Sequence, residues 1–240
     1  LDLGKPKAFQ WAVDVVAGLI DSYDIDWYEE DFNIEPNSYL ETAATPDRWG
    51  MGEMRFIEGH FAFWDALLER FPKLAILNCA SGGRRIDLET ISRGQPLWRS
   101  DYNCFPEATA ESTQDHGQGI LHWLPLEGSM IRGWSLFDTY EARSALSPGM
   151  ENALVAKTEP EWLQIKANVV QARRSKKYFL GDYYPLTHQQ RSPAAWSAYH
   201  LYLPGEKEGM IVALRRARSD VRAMTFDLLT IDPAKWWKFE

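Results

Sequence analysis

The spacing of apolar residues predicts helices alternating with strands over the first 178 residues. Residues 6–22 carry one apolar stripe at helical period after Pro6, which is a common first helical residue. Residues 25–32 predict a strand, and a longer helix is expected at about 53–71. The wholly apolar run at 74–77 is typical of a strand that is buried on both faces.

The alternation continues downstream with less regular spacing. Thr158 and Glu161 form a capping-box pattern before the last predicted helix. The further elements expected from the pattern are helices at 87–93, 107–117 and 159–176 and strands at 96–100, 120–126 and 131–137.

After Tyr178 the pattern predicts strands without intervening helices. Residues 181–186 are interpreted as a loop, and residues 196–203 and 210–216 as a hairpin around a Pro-Gly turn. Met224, Phe226 and Leu228 alternate as in a third strand. We therefore expect an antiparallel β unit after the helix–strand region.

Repeated strand–helix units with short loops indicate an α/β fold with a parallel sheet. An open doubly wound sheet and a (β/α)8 TIM barrel both fit this pattern. The barrel is favoured because successive strands end in polar residues whose side chains can take part in catalysis. A full barrel takes about 250 residues and eight strands, whereas five strands are predicted here. We expect the C-terminal portion of a barrel at 1–178, with its first half missing, and the start of an antiparallel β domain at 179–240.

Composition excludes several classes of protein. A formal net charge of -8 argues against a nucleic-acid partner, and no apolar run reaches the ~20 residues of a membrane span. The two cysteines and five histidines show no metal-ligand spacing, so no metal site is expected. Trp is frequent, with 11 residues, which suits stacking on sugar rings. Localisation stays open, with a cytoplasmic protein favoured over a secreted one, and an oligomer is possible.

Two predicted strands end on a carboxylate. Asp31 follows Glu29 and Glu30, whose repulsion would raise at least one pKa unless cations lie nearby, and Asp101 follows Trp98 and Arg99. Two such carboxylates in one cleft suit glycosidic bond cleavage, at about 5–5.5 Å apart for retention of configuration. The alternatives are a capping Asp at 31 and a surface ion pair of Asp101 with Arg99.

A glycine-rich turn lies between these strands at residues 78–87. Its backbone can approach a ligand closely, but it lacks both the P-loop and the dinucleotide-binding fingerprints. Cys79 has no evident His partner for catalysis and is interpreted as a packed or sugar-contacting thiol. All five histidines are interpreted as structural or surface residues, with His60 the least settled.

Taken together, the segments 31–33, 79–87 and 98–101 resemble glycoside hydrolase family 36, the α-galactosidases or melibiases. Residues 3–4, 71–72 and 181–186 and Trp11 match the same family. The resemblance implies strands 4–8 of a (β/α)8 barrel followed by a C-terminal antiparallel β domain. It implies no cofactor and a small α-galactoside oligosaccharide as substrate.

The resemblance also assigns roles by motif. Asp31 matches the nucleophile and Asp101 the acid/base of a double displacement with retention. The residues matched to substrate binding are Asn33, Cys79, Ser81, Gly82, Trp98 and Glu29.

The family usually has Lys or Arg at the position of Glu29, which leaves the exact sugar preference open. The alternatives are a related retaining α-glycosidase, such as an α-N-acetylgalactosaminidase, and a non-catalytic carbohydrate-binding fragment. The chain is expected to be a C-terminal part of a longer enzyme, inactive alone.

Overall fold

The computed structural model describes residues 1–33, 36–37, 40, 45–105, 107–131, 138–152 and 156–239. Their contacts divide the chain into two compact units, Leu1–Ser100 and Asp101–Glu240. Within the described residues, no helix has the length and apolarity that a bilayer span requires.

The first unit alternates helices and parallel strands. Its elements are α1 (Pro6–Tyr23), β1 (Trp27–Asp31), a 3-10 turn (Pro46–Arg48), α2 (Met51–Arg70), β2 (Ala75–Cys79), α3 (Leu88–Arg93) and β3 (Leu97–Trp98). β2 pairs in parallel with β1 and β3, and the register places Asp31 opposite Cys79. The predicted helices and strands of this region are therefore confirmed, with β3 shorter than expected.

The apolar stripes of α1 and α2 form the core of the first unit. Ile20, Phe63, Trp64, Leu67 and Ile76 are buried together, as expected for helices that cover one face of a sheet. β1 alternates, so that Tyr28 and Glu30 are partly buried while Trp27, Glu29 and Asp31 are exposed. This alternation separates the two neighbouring carboxylates Glu30 and Asp31 onto opposite faces of the strand.

The second unit contains both parallel and antiparallel strands. Its elements are a 3-10 turn (Asp101–Cys104), α4 (Ala110–Ile120), β4 (Glu127–Ile131), α5 (Thr139–Ser144), β5 (Gly149–Asn152), α6 (Glu159–Ser175), a 3-10 turn (Lys176–Leu180), β6 (Asp182–Pro185), β7 (Trp196–Leu203) and β8 (Glu208–Arg215). β4 and β5 are parallel, whereas β6, β7 and β8 form an antiparallel sheet in that order. The predicted helix at 159–176 and the hairpin are confirmed.

Three predictions in the second unit are wrong, at residues 120–126, 181–186 and 224–228. Residues 120–126 do not form a strand, because Leu121 is buried against Phe179 at the end of α4, and the strand follows at Glu127–Ile131. Residues 182–185 form β6 instead of a loop, since an edge strand tolerates a proline.

The alternating residues Met224, Phe226 and Leu228 lie in a described stretch without a strand, where Phe226 contacts Trp196 edge to face. The strand predicted at 131–137 lies, apart from Ile131, outside the described residues. The boundary between predicted domains at 178 and 179 stays a prediction.

Candidate active site

Asp31 ends β1 on the exposed face of the strand, beside the turn that follows β2. The backbone N–H of Ser81 donates a hydrogen bond to Asp31 Oδ1 (3.2 Å). The Ser81 hydroxyl donates to Asn33 Oδ1 at 2.6 Å, and Cys79 is the register partner of Asp31. The structure thus brings together four residues that the sequence placed at the site: Asp31, Asn33, Cys79 and Ser81.

The turn after β2 has an unusual backbone. Ser81, Gly82 and Gly83 have φ values of 54, 73 and 69 degrees, the left-handed region that glycine adopts most readily. The N–H of Gly83 donates to the Trp98 carbonyl at 2.7 Å, and a Cβ at residue 83 would lie 2.7 Å from the Arg99 carbonyl oxygen. The two glycines therefore bring the turn against β3 while Ser81 N–H points to Asp31.

The surroundings of Asp31 favour its ionised form. Partial burial alone would raise its pKa, but hydrogen bonds from Ser81 N–H, Asn33 and Cys79 and the positive charge of Arg85 together lower the pKa below its ordinary value. Hydrogen bonds to a carboxylate and a nearby cation both stabilise the charged form. Asp31 is accordingly a carboxylate at neutral pH, the state that a nucleophile requires.

Glu30 points to the opposite face and is held by side chains of α2. His60 Nε2 lies 2.5 Å from Oε1, and Trp64 Nε1 donates to Oε2 at 2.7 Å. Desolvation would raise the pKa of Glu30, but His60, Trp64 and the charge of Arg85 lower it. Burial and Glu30 in turn raise the pKa of Tyr28.

The sequence predicted that repulsion among Glu29, Glu30 and Asp31 would raise a pKa unless a cation lay nearby. Arg85 is such a cation. Arg85 lowers the pKa of both Glu30 and Asp31. The alternating strand also directs Glu30 away from the other two carboxylates.

The other predicted substrate-binding residues of the first unit differ in exposure. Glu29 is exposed on the same face of β1 as Asp31, two residues before it. Gly82 lies in the left-handed turn, and Trp98 in β3 is only 6% exposed. Glu29 is thus accessible to a ligand beside Asp31, and the Trp98 side chain is largely packed.

Asp101 belongs to the second unit and begins the 3-10 turn Asp101–Cys104. It is partly exposed. Burial is the main cause that raises the pKa of the Cys104 thiol, and the negative charges of Asp101 and Glu151 raise it further. Since Asp31 and Asp101 lie in different compact units, the separation of their carboxyl groups stays a prediction.

A cavity of about 500 Å³ occurs elsewhere in the first unit. Its lining includes Asp2, Lys5, Arg48 and Arg55 and none of the predicted site residues. Among the residues that the structure describes, no three His, Cys, Asp or Glu side chains cluster as metal ligands.

The sequence interpretation missed the roles of Arg85 and of the Glu30–His60–Trp64 cluster. Two signals were available. Glu30 occupies a position of β1 whose alternation points inward, and His60 and Trp64 are four residues apart on α2, which places them on one face of that helix. A buried carboxylate at such a strand position requires donors, and this helix face supplies them.

A family model for melibiases matches residues 1–108. The α-galactosidase of Escherichia coli is 33% identical over 104 residues, which cover 43% of this chain and 14% of that protein. The α-galactosidase Mel36A of Lactobacillus acidophilus is 25% identical over 101 residues, again 14% of its length. The predicted resemblance is confirmed, and the chain matches about a seventh of these melibiase relatives.

Solved structures show the fold over nearly the whole chain. The galactosidase domain of the α-galactosidase–sucrose kinase AgaSK has a TM-score of 0.77 at 17% identity, covering 97% of this chain and 32% of its own. The family 36 α-galactosidase AgaA of Geobacillus stearothermophilus has a TM-score of 0.76 at 18% identity, covering 95% and 33%. Variants of AgaA were solved in complex with raffinose and with stachyose.

The predicted fold class is confirmed by this likeness. The chain has the α/β fold of a TIM-barrel portion followed by a small antiparallel β domain. It spans about a third of the length of these solved melibiase neighbours.

Proposed function

We propose that the chain takes part in the hydrolysis of terminal α-linked galactose by double displacement with retention of configuration. The observation that supports this most is the state of Asp31, an exposed and ionised carboxylate at the end of a parallel strand within the melibiase-matched residues. Carboxyl ends of barrel strands are where catalytic residues of this fold are found.

In the first step, an Asp31 oxygen forms a bond to the anomeric carbon while the bond from that carbon to the glycosidic oxygen breaks. Asp101 donates its proton to the leaving oxygen, which departs as the alcohol of the remaining oligosaccharide. In the second step, Asp101 accepts a proton from water, and the resulting oxygen nucleophile replaces Asp31 at the anomeric carbon. Galactose leaves with its original configuration, and both carboxyl groups return to their starting states.

The residues around Asp31 would orient the nucleophile and bind the sugar. Ser81 N–H and Asn33 limit the rotation of the Asp31 carboxylate, and the Cys79 and Gly82 backbone allows close approach of a sugar ring. Exposed Glu29 can accept hydrogen bonds from sugar hydroxyl groups. Trp98 contributes packing beneath the turn.

The substrate class that we infer is an oligosaccharide with a terminal α-galactosyl group. Raffinose and stachyose are bound by variants of the structural neighbour AgaA. A related retaining α-glycosidase with an N-acetylgalactosamine substrate would use the same two carboxylates.

Glu29 also favours a second candidate, carbohydrate binding without turnover. A carboxylate at this position accepts hydrogen bonds but cannot supply the charged donor that the family usually has there. Binding of galactose without hydrolysis is the property that distinguishes this candidate.

The test is the hydrolysis of p-nitrophenyl α-D-galactopyranoside by the full-length protein that contains this chain and by two matched variants of it. Asp31→Ala should lower kcat by about 10³-fold or more, and azide should restore product release as the inverted glycosyl azide. Asp26→Ala, which removes a carboxylate at the other end of β1, should retain activity.

Three results decide between the candidates. Wild-type activity in a folded Asp31→Ala variant would remove Asp31 from the mechanism. Galactose binding with no hydrolysis by the unmodified full-length protein would favour the binding candidate. A preference for the N-acetylgalactosaminide substrate would favour the related glycosidase.

A further inference from the structure

Arg85 links β1, β2 and the turn that carries Ser81. Its Nη1 donates to the Cys79 carbonyl at 2.7 Å, and the same carbonyl accepts the N–H of Phe32 at 3.3 Å. Asn78 Nδ2 donates to the Arg85 carbonyl at 3.1 Å. The guanidinium therefore connects the residues that flank Asp31 in the parallel ladder.

The second contact of Arg85 is electrostatic. Its Nη2 lies 3.9 Å from Glu30 Oε1, and both side chains are largely buried. Its guanidinium also lies over the Phe32 ring, 6.0 Å from the centroid. Because buried charges require partners, Glu30 gives Arg85 a counter-charge, while His60 and Trp64 keep Glu30 in place.

Arg85 thus stands between two carboxylates that need different environments. Asp31 lies opposite the Cys79 thiol and near the Arg85 guanidinium, and it follows Glu29 and Glu30 on β1. Glu30 is held on the inner face by hydrogen bonds with His60 and Trp64 of α2. Arg85 can then act on the outer carboxylate and on the turn that contacts it.

We propose that Arg85 is a positioning residue, which holds the Ser81 turn against the end of β1 so that Ser81 N–H and the Asp31 carboxylate stay in contact. Glu30, fixed by His60 and Trp64, anchors the guanidinium in this position. The proposal rests on the proposed role of Asp31, but its test requires no hydrolysis.

The experiment is an NMR titration of the full chain labelled with 13C at aspartate carboxyl groups and with 15N. The Asp31 carboxyl signal gives the titration midpoint of that group. The Ser81 amide proton should shift over the same pH range, because it donates to the group that ionises. The two signals separate the charge on Asp31 from the geometry around it.

Arg85→Met should raise the Asp31 midpoint by about half a pH unit, the size expected for loss of a nearby charge in a partly hydrated site. It should also reduce the pH-dependent shift of the Ser81 amide proton to about half or less, since that hydrogen bond weakens. Arg85→Lys keeps the charge but not the planar pair of donors. Arg85→Lys should therefore reduce the pH-dependent shift of the Ser81 amide proton, but it should change the Asp31 titration midpoint less than Arg85→Met does.

The matched control is Arg84→Met, which removes one positive charge from an exposed residue of the same turn. It should leave both signals as in the unmodified chain. Unchanged signals in folded Arg85→Met would overturn the proposal, as would equal changes in Arg84→Met and Arg85→Met. If Arg85→Met does not fold, an unchanged Ser81 shift in Arg85→Lys overturns it in the same way. The expected NMR signals in the chain, together with no hydrolysis by the full-length protein, would refute the proposed function alone.

Discussion

A substitution of Trp64 tests whether the buried carboxylate of Glu30, next to Asp31 in β1, is ionised. Its side chain is fully buried in the core of the first unit, and its indole N–H donates to Glu30 Oε2 at 2.7 Å. Trp64→Phe retains an aromatic ring at this position but removes the donor. The variant therefore leaves a buried carboxylate with one hydrogen bond fewer.

The expected loss in free energy of unfolding has two parts. A hydrogen bond to a charged group contributes about 1.5–3 kcal/mol, and the smaller ring loses about 1–1.5 kcal/mol of apolar burial. Trp64→Phe should thus destabilise the first unit by about 2.5–4.5 kcal/mol at pH 7. Trp11→Phe, at a side chain that is 59% exposed, should change stability by less than about 0.5 kcal/mol.

The pH dependence identifies the charged partner. The pKa of Glu30 is lower in the folded chain than its ordinary value of 4.5. The stabilisation from its ionised form is therefore present above pH 4.5 and is lost as the pH falls through the folded-state pKa. The cost of Trp64→Phe should accordingly shrink toward the apolar part alone at low pH.

Urea unfolding followed through the NMR amide signals of β2 measures the stability of the first unit. The unmodified chain, Trp64→Phe and Trp11→Phe are compared at neutral and acidic pH. A cost for Trp64→Phe that is the same at both pH values would contradict an ionised Glu30 as the acceptor. A cost below about 1 kcal/mol at neutral pH would contradict the hydrogen bond itself.

Substitutions at four further positions test other parts of the chain by urea unfolding, followed through amide signals of the unit that contains each residue. Gly83→Ala should destabilise by about 1–3 kcal/mol, because residue 83 has a positive φ and a close backbone neighbour, whereas Gly18→Ala in the open interior of α1 should stabilise by about 0.5–1 kcal/mol. Arg216→Met should cost about 3–5 kcal/mol by leaving the partly buried Asp115 without its cation. Asp87→Ala should cost about 1 kcal/mol by removing the N-cap of α3, and Asp87→Asn should restore most of it.

Local pattern predicted the elements whose signals are short-range. Pro6 and the apolar stripe of α1, the capping box at Thr158 and the Pro-Gly hairpin each act within a few residues, and the structure confirms all three elements. Local pattern also predicted that Asp31, Asn33 and Ser81 lie together, because parallel strands present their carboxyl ends at one edge.

Local pattern failed where packing between distant residues decides the structure. The apolar run at 120–126 ends α4 instead of forming a strand, since Leu121 is buried in one cluster with Phe179, which is distant in sequence. β4 begins one residue after this apolar run, at Glu127, and Pro185 is tolerated in β6 because that strand is an edge.

The sequence by itself determined the order of most helices and strands and the barrel class, because periodicity, turn residues and motif spacing are local properties; the catalytic roles of Asp31 and Asp101 stay predictions. Only the tertiary structure decided which neighbouring carboxylate is buried and which is exposed. Glu30 and Asp31 have nearly the same chemistry, and their environments differ because the strand alternates and α2 supplies donors to one face alone. The same holds for Arg85, whose partners Glu30 and Cys79 come from two strands.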